Sequence, residues 1–106
     1  MVNRFDVYLV NLDAEPGKNA KNTRPCVVIS PDEMNRNVQN VIVAPLSAYV
    51  VSYPTRIKVS FLNGERAVIL DQIRTVDKVR LVKKVGEIEK PERKVIIDRL
   101  QEFFAE

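Results

Sequence analysis

Arg24 stands directly before Pro25, at the head of the apolar run Cys26-Val27-Val28-Ile29-Ser30. Proline holds its own φ at about −65° and pushes the residue before it into extended backbone. The guanidinium therefore leaves the chain from a defined strand start, a good anchor for a rigid phosphate clamp. Ser47 closes a second run, Val41-Ile42-Val43-Ala44-Pro45-Leu46, and Asp71-Gln72 interrupts a third between Val68 and Asp77. Each residue also has a plain structural alternative. A strand-start arginine can be a surface cap, a strand-end serine a turn former, and Arg74, Asp77 and Arg80 an ion-pair network. From the residues alone both readings stand.

The chain contains no histidine and one cysteine. Histidine acid–base chemistry is excluded, and a zinc site would need carboxylates and a single thiol, a poor donor set. Cys26 excludes an internal disulfide and, inside an apolar run, reads as a buried inert thiol. RNA offers a substrate for what remains, because its 2′-hydroxyl is a nucleophile held beside the scissile phosphate. An enzyme that uses it must align the 2′-oxygen with the leaving 5′-oxygen, stabilise the phosphorane charge and manage two protons. An arginine and a hydroxyl meet those needs without a metal or cofactor. Arginine is a poor base: with a pKa above ~12, its neutral form is rarer than about one in 10⁵ at pH 7, a penalty of ~7 kcal/mol. Its role would be electrostatic, with protonation of the leaving oxygen as a second task.

The elements that must position these groups are short. A length of 106 residues suits one domain spanning 1–106. The apolar fraction of 45% and charged fraction of 29% are ordinary for a globular chain. Net charge is +3, concentrated between Arg56 and Lys84, where eight Lys/Arg face Glu65, Asp71 and Asp77, an excess of five. Such a stretch suits a polyanion as well as a solvated strand face. The N-terminus lacks an apolar stretch after its charge, and no run approaches the ~18 apolar residues of a membrane span. The expected compartment is the cytoplasm.

Phe5–Leu12, Arg24–Ser30 and Val41–Ser47 read as strands, with a helical turn after Pro31. Thr55–Phe61 alternates cleanly, Ile57, Val59 and Phe61 against Arg56, Lys58 and Ser60. Asn63-Gly64 predicts a two-residue hairpin turn before Ala67–Leu70. Asp77–Arg80 reads as a tight turn before a last strand, Leu81–Ile88. Pro91 opens a closing helix whose Ile96, Leu100 and Phe103 or Phe104 form an apolar stripe. Many short strands and one helix predict a mainly β fold, a small bent antiparallel barrel that hides its edges. Tyr49 and Tyr53 fit base stacking, a dimer seam or plain core.

The order and spacing of Thr23–Ser30, Val41–Ser47 and Val68–Asp77 closely resemble the MazF/PemK family of bacterial toxins, from about Phe5 to Arg80, with a weaker match beyond. The resemblance implies an SH3-like (CcdB/MazF-like) barrel with a C-terminal α-helix and a homodimer. It also implies a metal-independent endoribonuclease that cuts single-stranded RNA, leaving a 2′,3′-cyclic phosphate or 3′-phosphate and a 5′-hydroxyl. The partner it implies is a cognate antitoxin whose acidic disordered segment fills the RNA groove. Arg24 matches the family's catalytic arginine, Ser47 its Thr/Ser, and Asp71 is the third candidate, more suited to orienting Arg24 than to taking a proton. The RNA-binding candidates are Lys18, Lys21, Tyr49, Tyr53, Arg56, Lys58, Gln72 and Arg74. Two other classes compete: a toxin of the same fold that binds and poisons DNA gyrase, as CcdB does, and a silent nucleic-acid-binding module.

The chain departs from the family in places. Arg4-Phe5-Asp6 stands where Arg-Gly-Asp is common, and Gly17-Lys18-Asn19-Ala20-Lys21-Asn22 replaces an acidic, glycine-rich loop. Some members carry a histidine at the position of Lys18 and an arginine at that of Ile69. Recognition of a particular RNA sequence therefore does not transfer. Lys18 and Lys21 add two cations beside the groove, so RNA binding should depend more steeply on salt than it would without them. Neutralising both should flatten the slope of log affinity against log salt; an unchanged slope would remove these lysines from the RNA path.

Overall fold

The computed structural model describes residues 1–13 and 22–105. Among the described residues seven strands form one antiparallel sheet: β1 (Asp6–Asn11), β2 (Thr23–Val28), β3 (Asn40–Ser47), β4 (Arg56–Phe61), β5 (Gly64–Ile69), β6 (Arg74–Asp77) and β7 (Leu81–Glu87). A short helix α1 (Asp32–Asn37) follows β2, and α2 (Lys90–Phe104) closes the chain. Spatial order is β4-β5-β3-β2-β1-β7, with β6 on β3 as well. This is the expected mainly β, bent antiparallel fold with a C-terminal helix, its sheet curled into a half-barrel. No helix among the described residues is long and apolar enough to cross a membrane.

β3 is the hub because its outer edge serves two partners. Leu46 and Ser47 pair with Val68 and Ala67 of β5, while Asn40–Val43 pair with Asp77–Arg74 of β6. The third apolar segment is thus two strands joined by the 3₁₀ turn Leu70–Gln72, not one strand. Asp71 lies in that turn rather than at a strand edge. The fully buried Leu70 pins the turn to the core.

Alternation divides the strands between two apolar clusters. Val7, Val27, Ile29, Ala44 and Leu46 join Ile57, Val59, Phe61, Val68, Ile88 and Ile96 in the main core. Val10, Cys26, Val28, Val41, Val43 and Val76 form the second. β4 shows the predicted alternation, with Ile57, Val59 and Phe61 buried. The hairpin turn sits one residue earlier than Asn63-Gly64 predicts. Leu62 and Asn63 carry the positive φ values, 50° and 60°, while Gly64 pairs with Phe61 in the ladder.

The α2 stripe enters the core at Ile96, with Leu100 packed against it, and then runs past the sheet, leaving Phe103 and Phe104 exposed. Glu92 secures the helix by accepting the Ser60 N–H at 3.0 Å, and Arg93 Nε donates to the Ile88 carbonyl at 2.8 Å. Arg93 also lies over the Phe5 ring, 5.3 Å from its centroid, and Arg4 lies over the same ring at 5.7 Å. Phe5 has φ 75°, a conformation that a glycine there would adopt freely and that costs an L-residue ~1–2 kcal/mol. Two cation–π contacts of ~0.5–1 kcal/mol each offset it.

The two ends of the strand order meet at Phe61 and Gly86. A Cβ on Gly86 would lie 2.6 Å from Phe61 Cε1, inside any permitted contact. Gly86→Ala should therefore cost about 1–3 kcal/mol in urea melts, and adding Phe61→Leu should recover part of it. A neutral Gly86→Ala would show that this closure is loose.

Candidate functional site

Side-chain parity collects the polar strand ends. In β2, Cys26 and Val28 face the second cluster, and Arg24 shares their parity. In β3 the same face carries Val41 and Val43, followed by Pro45 and Ser47; in β6 it carries Val76 and Arg74. β2 and β6 flank β3 on opposite edges, with Val43 paired to both Val28 and Arg74. Where this apolar face ends, a cavity of about 180 Å³ opens, lined by Leu12, Arg24, Cys26, Pro45, Gln72 and Arg74.

The structure thus brings Arg24, Gln72 and Arg74 together. Among the described residues, neither the Arg24 nor the Arg74 guanidinium has a hydrogen-bond or ion-pair partner. Burial pushes the Cys26 thiol up to about 11, against the opposing pull of Arg24 and Arg74. It is a neutral wall of the cavity. Asp77 caps the next turn by accepting the Val79 N–H at 3.1 Å, and Arg80 donates to the Asn11 and Asp13 carbonyls. Those two residues are structural partners, whereas Arg74 belongs to the cavity.

Ser47 lies one alternate step beyond Pro45, half-buried, and continuing the β2–β3 register sets it opposite Arg24. Its hydroxyl accepts the Tyr49 N–H at 3.0 Å, closing a turn while leaving its own O–H to donate.

Asp71 does not orient Arg24. Its carboxylate accepts from the Thr55 hydroxyl at 2.8 Å and pairs with Arg56 at 3.5 Å. Successive side chains in a 3₁₀ turn diverge by a third of a revolution, so Gln72 reaches the cavity and Asp71 turns to β4. Arg56 lines a second, larger depression of about 740 Å³ with Tyr53, Lys58, Arg99, Val50 and Val51; Glu102 adds one acid. Lys58 faces Glu65 at 3.8 Å. Tyr49 and Tyr53 are 78% and 61% exposed, which overturns the core alternative for both. Lys18 and Lys21 lie outside the described residues.

Leu12, Cys26, Pro45 and Arg99 were not among the expected site residues. Parity with Arg24 and Ser47 signals Cys26 and Pro45. Nothing local marks Arg99, which reaches the depression only because α2 folds back and its guanidinium donates to the Pro54 carbonyl at 2.9 Å.

Fold and site together define a small curled β-sheet protein with a cationic cavity at one end of its central strands. The family described as "PemK-like, MazF-like toxin of type II toxin-antitoxin system" matches residues 3–104, and the chain belongs to it. The match extends past the three motif blocks into α2. Among solved structures, an endoribonuclease in complex with its cognate antitoxin from Mycobacterial species is 23% identical, with a TM-score of 0.80 over 96% of this chain and 93% of that one. Mycobacterium tuberculosis toxin MazF-mt6 is 20% identical, with a TM-score of 0.77 over 93% and 95%. A MazE–MazF complex from Deinococcus radiodurans is 18% identical, with a TM-score of 0.79 over 98% and 95%. At these identities the likeness is one of fold.

The Thr55 hydrogen bond, followed by the Arg56 contacts, holds the Asp71 carboxyl below its ordinary value. A depressed carboxyl stabilises the fold above its unfolded pKa of about 3.9 and loses that contribution as acid protonates it. The pair is partly solvated, so Asp71→Asn should cost at most about 1 kcal/mol at pH 7. Urea melts stepped down from about pH 4 should show the difference vanishing. An equal cost in strong acid would mean that charge is not what the contact uses.

Proposed function

We propose that this chain is a metal-independent endoribonuclease toxin that cuts single-stranded RNA selectively by attack of the 2′-hydroxyl on the adjacent phosphate. The observation that carries the reading is the cavity holding the Arg24 and Arg74 guanidiniums, with no acid among its described lining residues, in a chain of the PemK/MazF family. In the reaction the 2′-oxygen forms a bond to phosphorus and the bond from phosphorus to the 5′-oxygen breaks. One proton leaves the 2′-hydroxyl and one arrives on the 5′-oxygen. The products are a 2′,3′-cyclic phosphate and a 5′-hydroxyl.

Arg24 neutralises the phosphorane, a contact stronger in the transition state than in the ground state. The Ser47 hydroxyl donates to a non-bridging oxygen or orients the 2′-hydroxyl. Asp71 acts as a positioning residue, holding Arg56 toward the larger depression. There Tyr53, Arg56, Lys58 and Arg99 offer a stacking face and cations to the flanking strand, with Tyr49 close in sequence. Two copies would pair to complete the RNA groove, and an antitoxin with an acidic, disordered segment would fill it. The solved neighbours held by an antitoxin support that partner class.

The test is a long single-stranded RNA incubated with purified protein in EDTA, followed by mapping of the ends. Cuts leaving 5′-hydroxyl termini are expected. Arg24→Ala should slow cutting on the order of 10²–10³-fold, and Ser47→Ala should also slow it. A requirement for magnesium, 5′-phosphate ends, or toxicity that survives both substitutions without RNA cutting would overturn the reading, the last in favour of a poison that only binds.

A further inference from the structure

The cavity holds two guanidiniums, and their arrangement says more than that the site is basic. We propose that Arg24 and Arg74 grip one and the same phosphate from opposite sides, which makes Arg74 a second catalytic cation rather than one of several groove cations. This rests on the ribonuclease reading above and adds the partner of Arg24 at the reacting group.

Three observations carry it. The first is topology: Arg24 comes from β2 and Arg74 from β6, the strands on either edge of β3, and Pro45 of β3 lies between them in the cavity wall. Side chains of one parity on both flanks converge over the middle strand as the jaws of a clamp. The second is size. At about 30 Å³ per water, the space of about 180 Å³ has room for one phosphate group with part of its hydration.

The third is the charge balance. Arg56, Lys58 and Lys84 each face a carboxylate, whereas among the described residues the Arg24 and Arg74 guanidiniums face none. Among the described residues no acid lines their cavity, and Leu12, Cys26 and Pro45 supply apolar walls. Two like charges held over such walls repel each other, and an anion between them reverses that cost. A phosphorane carries one more negative charge than the ground-state phosphate. A second cation on the same group therefore favours the transition state over bound substrate.

The experiment compares wild type, Arg24→Gln, Arg74→Gln, Arg74→Lys and the double Gln variant in single-turnover cleavage at saturating RNA, with Lys83→Gln as a charge-matched control. Arg74→Gln should lower the saturating rate on the order of 10²-fold, with Arg74→Lys recovering part. The double variant should lose less than the product of the single losses, because both residues act on one group. Lys83→Gln should leave the rate unchanged. Multiplying losses, or an Arg74→Gln variant that keeps the wild-type rate and only raises KM, would overturn the shared clamp while leaving the ribonuclease reading intact.

A second measurement is independent of cleavage. Inorganic phosphate titrated into the protein should move the arginine Nε resonances of Arg24 and Arg74 with one midpoint, and Arg74→Gln should abolish the Arg24 shift. Separate midpoints, or no shift, would sink the shared site. A joint shift in a protein that cuts no RNA would keep the phosphate site and remove the ribonuclease reading.

Discussion

Side chains on a β-strand alternate between faces, and a one-residue slip in pairing exchanges the whole set. The site of this protein depends on that constraint at β3. Its inner edge aligns with β2 and its outer edge with β6, so Arg24 and Arg74 emerge on one face at the end of a run of buried valines. Slippage of either strand by one residue would send its arginine to the opposite face of the sheet and away from the cavity. The valines are therefore more than filler. Their burial makes the wrong register expensive, and the arginines inherit the precision.

That precision needs a stiff sheet, and the remaining elements supply it. The strand order closes where Phe61 lies against Gly86. α2 seals the main core with Ile96 and is tied to the sheet by Glu92 and Arg93. Phe5 keeps an unfavourable backbone angle while two guanidiniums pack on its ring and its N–H and carbonyl bond to Val28 and Ile88. These cationic side chains bind apolar and backbone groups of the fold, unlike Arg24 and Arg74. One residue type thus performs two tasks, separated by what faces it.

The 3₁₀ turn between β5 and β6 separates the two basic regions. It directs Gln72 to the small cavity and Asp71 to Thr55 and Arg56 beside the larger depression. Adjacent residues serve different places because a tight turn rotates each side chain away from the last. A continuous strand would have put Asp71 and Gln72 on opposite faces of the sheet and left Arg56 without its carboxylate.

Much of the architecture was legible in local pattern. The alternation of Ile57, Val59 and Phe61, the start of a strand at Arg24-Pro25 and the helix opened by Pro91 are short-range preferences that later packing did not override. The exclusion of histidine chemistry and the family blocks also follow from residue identity alone. What local pattern missed depended on distant partners. The hairpin moved one residue because Gly64 was needed in the ladder opposite Phe61, and the exposure of Tyr49 and Tyr53 followed from where the sheet ends. The partner of Asp71 and the meeting of Arg24 with Arg74 were decided by pairing between segments far apart in the chain. Residue type says what a side chain can do; only the folded sheet says what it faces.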